Sequence, residues 1–242
     1  MIKTIQPQWP VPASVSACCT TRQGGVSESP FDSFNLALHV GDDETRVRQN
    51  RQALRDQLRL PAEPGWINQT HGTRALVLEQ DSGRDADAAV TREPGQVAVV
   101  MTADCLPILI CNRAGTEVAA VHAGWRGLQA GVIPAALAAM QTAGDQLMAW
   151  IGPGISQVYF EVGDEVRTAF AGSIADAPNY FIPHGPGHWL CDLAGLAERV
   201  LNLHGVSQVF LDPHCSYRDA ELFYSYRRTA TTGRMAALIW IN

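Results

Sequence analysis

The chain has 242 residues, 46% hydrophobic and 17% charged, long enough for one sizeable core and too apolar for a disordered segment. Its net charge of −6, from 18 Lys+Arg against 24 Asp+Glu with no basic run beyond two residues, argues against nucleic acid or an anionic membrane as partner. Six cysteines without a C-x-x-C pair, no apolar leader after Met1 and no membrane-length stretch point to a cytoplasmic protein with free thiols, folded as one α/β domain over 1–242.

Residues 15–21 read as a strand holding the vicinal Cys18 and Cys19, broken at Gly24-Gly25. Residues 26–43 are rich in Ser, Asp and Gly yet carry Phe31, Phe34, Leu36 and Leu38, the pattern of a long loop pinned by apolar side chains beside a site. Asp42-Asp43 can cap a helix over 44–60, with Val47, Leu54 and Leu58 on its apolar stripe and Pro61 as its stop. Residues 66–72 form a short strand and a polar turn that presents His71, with Gln69 and Thr70 able to hydrogen-bond around it. A strand over 75–80 follows, then an acidic turn from which Asp87 could face a site.

The centre of the chain is a run of three buried strands, 97–101, 106–111 and 118–121. Folding the last two as a hairpin about Ala114-Gly115 sets Cys105 opposite Gly124 and His122 diagonal to Cys105 on the same face. A thiol and an imidazole so placed are either a nucleophile and its base or two ligands of a soft metal. Gly124-Trp125-Arg126-Gly127 then opens an Ala-rich helix to about residue 142, where free backbone N–H groups and Arg126 could hold an anion. Further on, 147–151 is a strand, 158–171 a helix, 172–188 a loop, 191–203 a helix and 208–211 a strand. His184 and His188 stand at i, i+4, but Gly185-Pro186-Gly187 between them removes the helix that metal binding at this spacing would need. The closing segment alternates aromatics with arginine (Phe223, Tyr224, Tyr226, Arg227, Arg228) before a last strand over 235–241. That alternation suits either a pocket for a flat ring and an anion or a solvated edge strand.

Taken together, Thr21-Arg22-x-Gly24-Gly25, Phe34-Asn35-Leu36, Gln69-x-His71-Gly72, Thr102-Ala103-Asp104-Cys105-Leu106-Pro107, Val121-His122-Ala123-Gly124-Trp125-Arg126-Gly127 and Phe223-Tyr224-Ser225-Tyr226-Arg227-Arg228 resemble the YfiH-type laccase-domain family from end to end. The resemblance implies a layered α/β (α+β) sandwich, with mixed sheets flanked by helices, related to bacterial cysteine-hydrolase toxins. It implies His71, Cys105 and His122 as ligands of a catalytic zinc with an open position. It further implies phosphorolysis of adenosine, inosine, guanosine and methylthioadenosine, and deamination of adenosine. Within that reading Asp104 is a candidate proton carrier by proximity. Arg22, Arg126 and Arg227 are candidates for phosphate, Trp125 and Tyr224 for stacking the base, and Asn35 for hydrogen bonding to sugar or base. Related proteins are also described as peptidoglycan-editing amidases, for which Cys105 and His122 would act without metal and His71 would be dispensable. The family's older designation is a copper polyphenol oxidase. Seven histidines without an H-x-H pair do not suit a multicopper centre, although copper can enter an N/S site adventitiously. No oligomeric state follows from the sequence.

Overall fold

The computed structural model describes residues 1–242. In chain order it contains β1 (Thr4–Ile5), β2 (Val15–Thr20), α1 (Glu44–Leu58), β3 (Ala75–Val77), β4 (Ala88–Thr91), β5 (Val97–Thr102), β6 (Leu106–Asn112) and β7 (Val118–Ala123). There follow α2 (Trp125–Ala130), α3 (Val132–Ala139), β8 (Leu147–Ile151), β9 (Glu161–Gly163), α4 (Asp164–Ala171), β10 (Phe181–Pro183), β11 (His188–Cys191), α5 (Leu193–Leu203), β12 (Gln208–Leu211) and β13 (Met235–Ile241).

Two sheets stack. One has six strands in the order β12-β8-β6-β7-β4-β3, with parallel pairs at its two edges and antiparallel pairs between. The other is antiparallel, β1-β2-β13-β5. A small antiparallel sheet, β10-β11-β9, stands apart. Leu109, Cys111, Val118 and Trp150 from the larger sheet meet Val100, Ala237 and Ile239 from the smaller one. The opposite face of the larger sheet, with Ile108, Ile110 and Val121, packs on Leu128, Val132 and Leu196 of the helices. The outer face of the four-stranded sheet, with Cys18, Val99 and Leu238, is covered by Leu54 of α1 and by Phe34 and Leu36 of the pinned loop. Every residue of β4 to β8 is buried. Covering both faces is what makes these strands read as unbroken apolar runs instead of an alternation.

This layered mixed α/β fold is the one expected, and the central hairpin has the expected register: Leu106 opposes Ala123 and Pro107 opposes His122, which sets Cys105 against Gly124. Asp43 caps α1 by accepting from the Arg46 N–H at 3.0 Å. The helix ends two residues earlier than expected, at a left-handed Arg59. Other boundaries need correction. The Ala-rich helix is two helices, because Gly131 sits at φ +103° and breaks the hydrogen-bonded ladder. The expected helix over 158–171 contains a 3₁₀ turn (Gln157–Tyr159), β9 and only then α4. The expected loop over 172–188 contains β10, paired with β11, and α5 starts only at Leu193. Residues 66–72 hold only one isolated bridge, Asn68 to Asp85, and β3 ends at Val77. The segment with Phe223 and Tyr224 is a buried irregular turn, not an edge strand. The short β1 and β4 carry too few residues to show a period of two, and were not read from the sequence.

Candidate metal centre

β6 and β7 present Pro107 and His122 on the face that looks toward the smaller sheet, and Cys105 extends that face one step beyond β6. The third group, His71, arrives on the loop before β3. Gln69 anchors this loop to β5, accepting from the Met101 N–H and donating to the Met101 carbonyl, both at 2.7 Å. One donor atom each from His71, Cys105 and His122 lies within 4.8 Å of the others. The two imidazole rings meet edge to face with centroids 4.8 Å apart.

Asp87, fully buried immediately before β4, organises the centre. Its Oδ1 lies 2.8 Å from His122 Nδ1 and accepts from the His71 N–H at 3.0 Å. Its Oδ2 accepts from the N–H groups of Gly72 (2.7 Å) and Thr70 (3.2 Å) and from the Thr70 hydroxyl (3.1 Å). Binding Nδ1 turns His122 Nε2 inward, the carboxylate–histidine arrangement that orients metal-ligating imidazoles. Burial works against charge on Asp87, but the His122 hydrogen bond and the loop N–H groups outweigh it and hold the carboxyl below its ordinary range.

The donor set fits a borderline metal. Two imidazoles and one thiol are zinc and copper ligands, three donors leave a position open, and a carboxylate orients one of them. Gly124 shows how tightly the space is kept: a Cβ there would stand 2.9 Å from both Cys105 Sγ and His71 Nδ1. Cys105 is also distinct among the six cysteines. The other five are buried, and burial pushes Cys18, Cys111 and Cys191 up to about 12, where they stay protonated and inert. The backbone is strained at the same place. Of the three non-glycine residues with positive φ, one caps α1, and the other two are His71 (+59°) and Asp104 (+97°). Each such conformation costs on the order of 1–3 kcal/mol and is retained where surrounding contacts impose it.

In the metal-free centre burial opposes a charge on His122, but the neighbouring Cys105 sulfur and the Asp87 carboxylate outweigh it and raise the imidazole to about 9. A ligating imidazole must be neutral, so at pH 7 a metal displaces the His122 proton. Zinc affinity is therefore expected to climb with pH up to about 9, about tenfold per unit for this one proton. Zinc titrations by calorimetry in buffers of different ionisation enthalpy will report the proton released.

The centre forms the floor of a cavity of about 520 Å³, within the usual range for small-molecule sites. Its walls include the apolar Trp125, Phe160 and Ile155 and the cationic Arg126, Arg227 and Arg234, with Arg126 over the Trp125 ring and Arg227 over the Phe160 ring. His39 brings the pinned loop to the rim. The Thr102 hydroxyl, buried at the wall, has no hydrogen-bond partner. Among the residues singled out from sequence, the structure brings Trp125, Arg126 and Arg227 to the cavity with the three donors and Asp104.

Arg22, Asn35 and Tyr224 do not reach it. Arg22 bonds the carbonyl and carboxylate of Asp32 and lies over the Tyr224 ring. Asn35 is fully buried, bridging Asp42, Ala37 and the Arg234 N–H. Tyr224 is fully buried with its hydroxyl on the Phe31 carbonyl. These three hold the loop and the C-terminal segment together. Asp104 lines the cavity. Its Oδ1 accepts from the Ser216 hydroxyl and its Oδ2 from the Arg227 N–H, both at 2.6 Å, so the carboxylate also positions the Arg227 turn. Arg234 was missed, because nothing local marks a Gly-Arg before a strand as part of a site.

Two stacked sheets between helices, with a His₂Cys donor set and three arginines at one end, define a mixed α/β protein with a metal-capable, anion-attracting cleft. Residues 16–242 match the family described as multi-copper polyphenol oxidoreductase laccase, and the chain belongs to it. It is 49% identical over 243 residues to an Escherichia coli protein named purine nucleoside phosphorylase YfiH, with both chains covered in full. It is 48% identical over 241 residues to a purine nucleoside phosphorylase of Pseudomonas aeruginosa, covering 98% of each. Among solved structures, a Neisseria meningitidis protein superposes with a TM-score of 0.95 at 44% identity over 99% of both chains. YlmD from Geobacillus stearothermophilus gives 0.88 at 31% identity over 95% of this chain and 93% of the other. The resemblance read from the motifs is therefore correct, and the relatives' names support an enzyme. No helix is long and apolar enough to cross a membrane.

Proposed function

We propose that the chain is a single catalytic domain, a cytoplasmic zinc-dependent purine nucleoside enzyme that phosphorolyses adenosine, inosine, guanosine and methylthioadenosine and deaminates adenosine. The observation that carries this is the His71–Cys105–His122 set opening into a cavity lined by aromatic and aliphatic side chains together with three arginines. In a protein of net charge −6, three guanidinium groups in one cleft make a local attraction for phosphate, and arginine offers paired donors to its oxygens. Arg126 and Arg227 keep this role, and Arg234 replaces Arg22. Trp125 and Phe160 offer an apolar wall for the base, each ring with a guanidinium over one face.

In phosphorolysis a phosphate oxygen bonds to the anomeric carbon as the glycosidic bond breaks, and its electron pair leaves with the base. The chain's part is to hold the anion on the arginines, the base against the wall and water outside. A zinc ion bound by the three donors would supply Lewis acidity and a lowered pKa for a bound water. Copper, which binds N/S donors more tightly than zinc, would enter the same site.

A second reading has one observation in its favour. His122 contacts Cys105 on one side and Asp87 on the other, a thiol–imidazole–carboxylate sequence that also suits a metal-free amidase acting on a cell-wall precursor. Chromatography of adenosine incubated with zinc-replete protein, with and without phosphate, separates the readings. Adenine formed only with phosphate is the expected result of phosphorolysis, and inosine in both samples that of deamination. Adenosine left intact in both would remove the purine reading and advance the amidase.

A further inference from the structure

Two of the aromatic rings on the cavity wall are already engaged. The Arg126 guanidinium carbon lies 4.5 Å from the Trp125 ring centroid, and that of Arg227 lies 5.4 Å from the Phe160 centroid. Both rings also pack on the core between the larger sheet and the helices. Tyr226 is different. It lines the same cavity and is 57% exposed. The only other exposed tyrosine, Tyr159, stacks on Tyr217 with centroids 4.7 Å apart, whereas Tyr226 has no ring or guanidinium against it. The backbone that carries this free ring is fixed on both sides. Tyr224 and Ser225 before it are buried, and the Arg227 N–H after it bonds Asp104 Oδ2 at 2.6 Å. The Thr229 N–H closes the turn on the Ser225 carbonyl at 3.0 Å. A tyrosine on such a mount offers a large flat face with only two side-chain torsions to restrain.

We propose that Tyr226 is the surface on which the base stacks, and that it sets the breadth of the site by reading the face of a purine and not its edge. The proposal rests on the purine nucleoside reading above and adds a residue to it. Stacking on an aromatic ring is tolerant of substituents, because every base has a π-face. Adenine, hypoxanthine and guanine differ at the edge but share the bicyclic face, so one tyrosine serves all three. A pyrimidine covers less of the ring and is held less well. The placement also suits the reaction. Tyr226 and Arg227 are adjacent in one turn, so base and anion are held by a single segment anchored at Asp104, next to Cys105.

Initial rates of zinc-replete Tyr226→Ala and Tyr226→Phe, with nucleoside and phosphate varied separately, test this. Loss of the ring is expected to raise KM for adenosine, inosine and guanosine by one common factor, about 5- to 150-fold, the range for base–aromatic stacking. KM for phosphate is expected to be unchanged, because Arg227 keeps its N–H bond to Asp104. Tyr226→Phe keeps the face and is expected to match the parent protein. Equilibrium dialysis of free adenine needs no turnover, and is expected to show the same loss of affinity in Tyr226→Ala alone. Adenine held equally by the parent and Tyr226→Ala, an equal rise in KM for phosphate, or Tyr226→Phe failing as Tyr226→Ala does overturns the assignment. If the parent leaves all three nucleosides intact, the nucleoside reading fails and the dialysis still decides the ring. Adenine retained by the parent and lost in Tyr226→Ala then keeps Tyr226 as a platform for a flat heterocycle, whereas no retention by the parent overturns it.

Discussion

Replacing His71 by alanine is expected to remove bound zinc and nucleoside turnover together, with kcat/KM falling by about 10³-fold or more, roughly 4 kcal/mol of transition-state stabilisation. The reason is the donor count. Cys105 and His122 alone leave two ligands, short of the three that a catalytic site of this kind needs. The fold is expected to survive. His71 is held through its backbone N–H by Asp87, a contact that alanine keeps, and its side chain is exposed. Alanine at φ +59° meets the same steric penalty, about 1–2 kcal/mol, that histidine already carries. Metal analysis and phosphate-dependent adenine release, run beside a thermal melt, give the answer. A metal-free His71→Ala protein with full activity would instead make Cys105 and His122 a self-sufficient nucleophile and base.

Asp87 is the position where stability and function are hardest to separate. Asp87→Ala strands the N–H groups of Thr70, His71 and Gly72 and leaves buried His122 without its counter-charge. Removing one partner of a buried charged pair costs about 3–5 kcal/mol, which in a chain of this size lowers Tm on the order of 10 °C. Asp87→Asn separates the two effects. It preserves volume and one acceptor oxygen, so the fold is expected to persist, while zinc affinity falls 10- to 100-fold as the orienting carboxylate is lost. Unchanged affinity in a folded Asp87→Asn protein would mean that the ligands need no such support.

Much of the fold was legible because its signals are local. The apolar runs at β5, β6, β7, β8 and β13 are long enough to read as buried strands, and the turn at Gly115 set the hairpin register that aligns Cys105 with His122. Asp43 announced its helix. Errors fell where an element is two to four residues long, as at β1, β4 and β9, or where one glycine divides a helix, as at Gly131.

The site was legible in part. The sequence by itself determined the donor types and the order of the motifs, because these lie within single contiguous stretches. That was enough to place the chain in its family and to pair Cys105 with His122 across one hairpin. Only the tertiary structure decided which arginines face the cavity. Arg22 and Arg234 look alike as residues near glycines, yet one is tied to Asp32 and the other opens into the cleft. It also decided that Asp87 supports two ligands and that Asp104 holds a turn. The physical reason is range. Propensity and periodicity act over a few residues. The contacts that orient a side chain here join residues from 10 to 123 positions apart, and most are set by the packing of the two sheets.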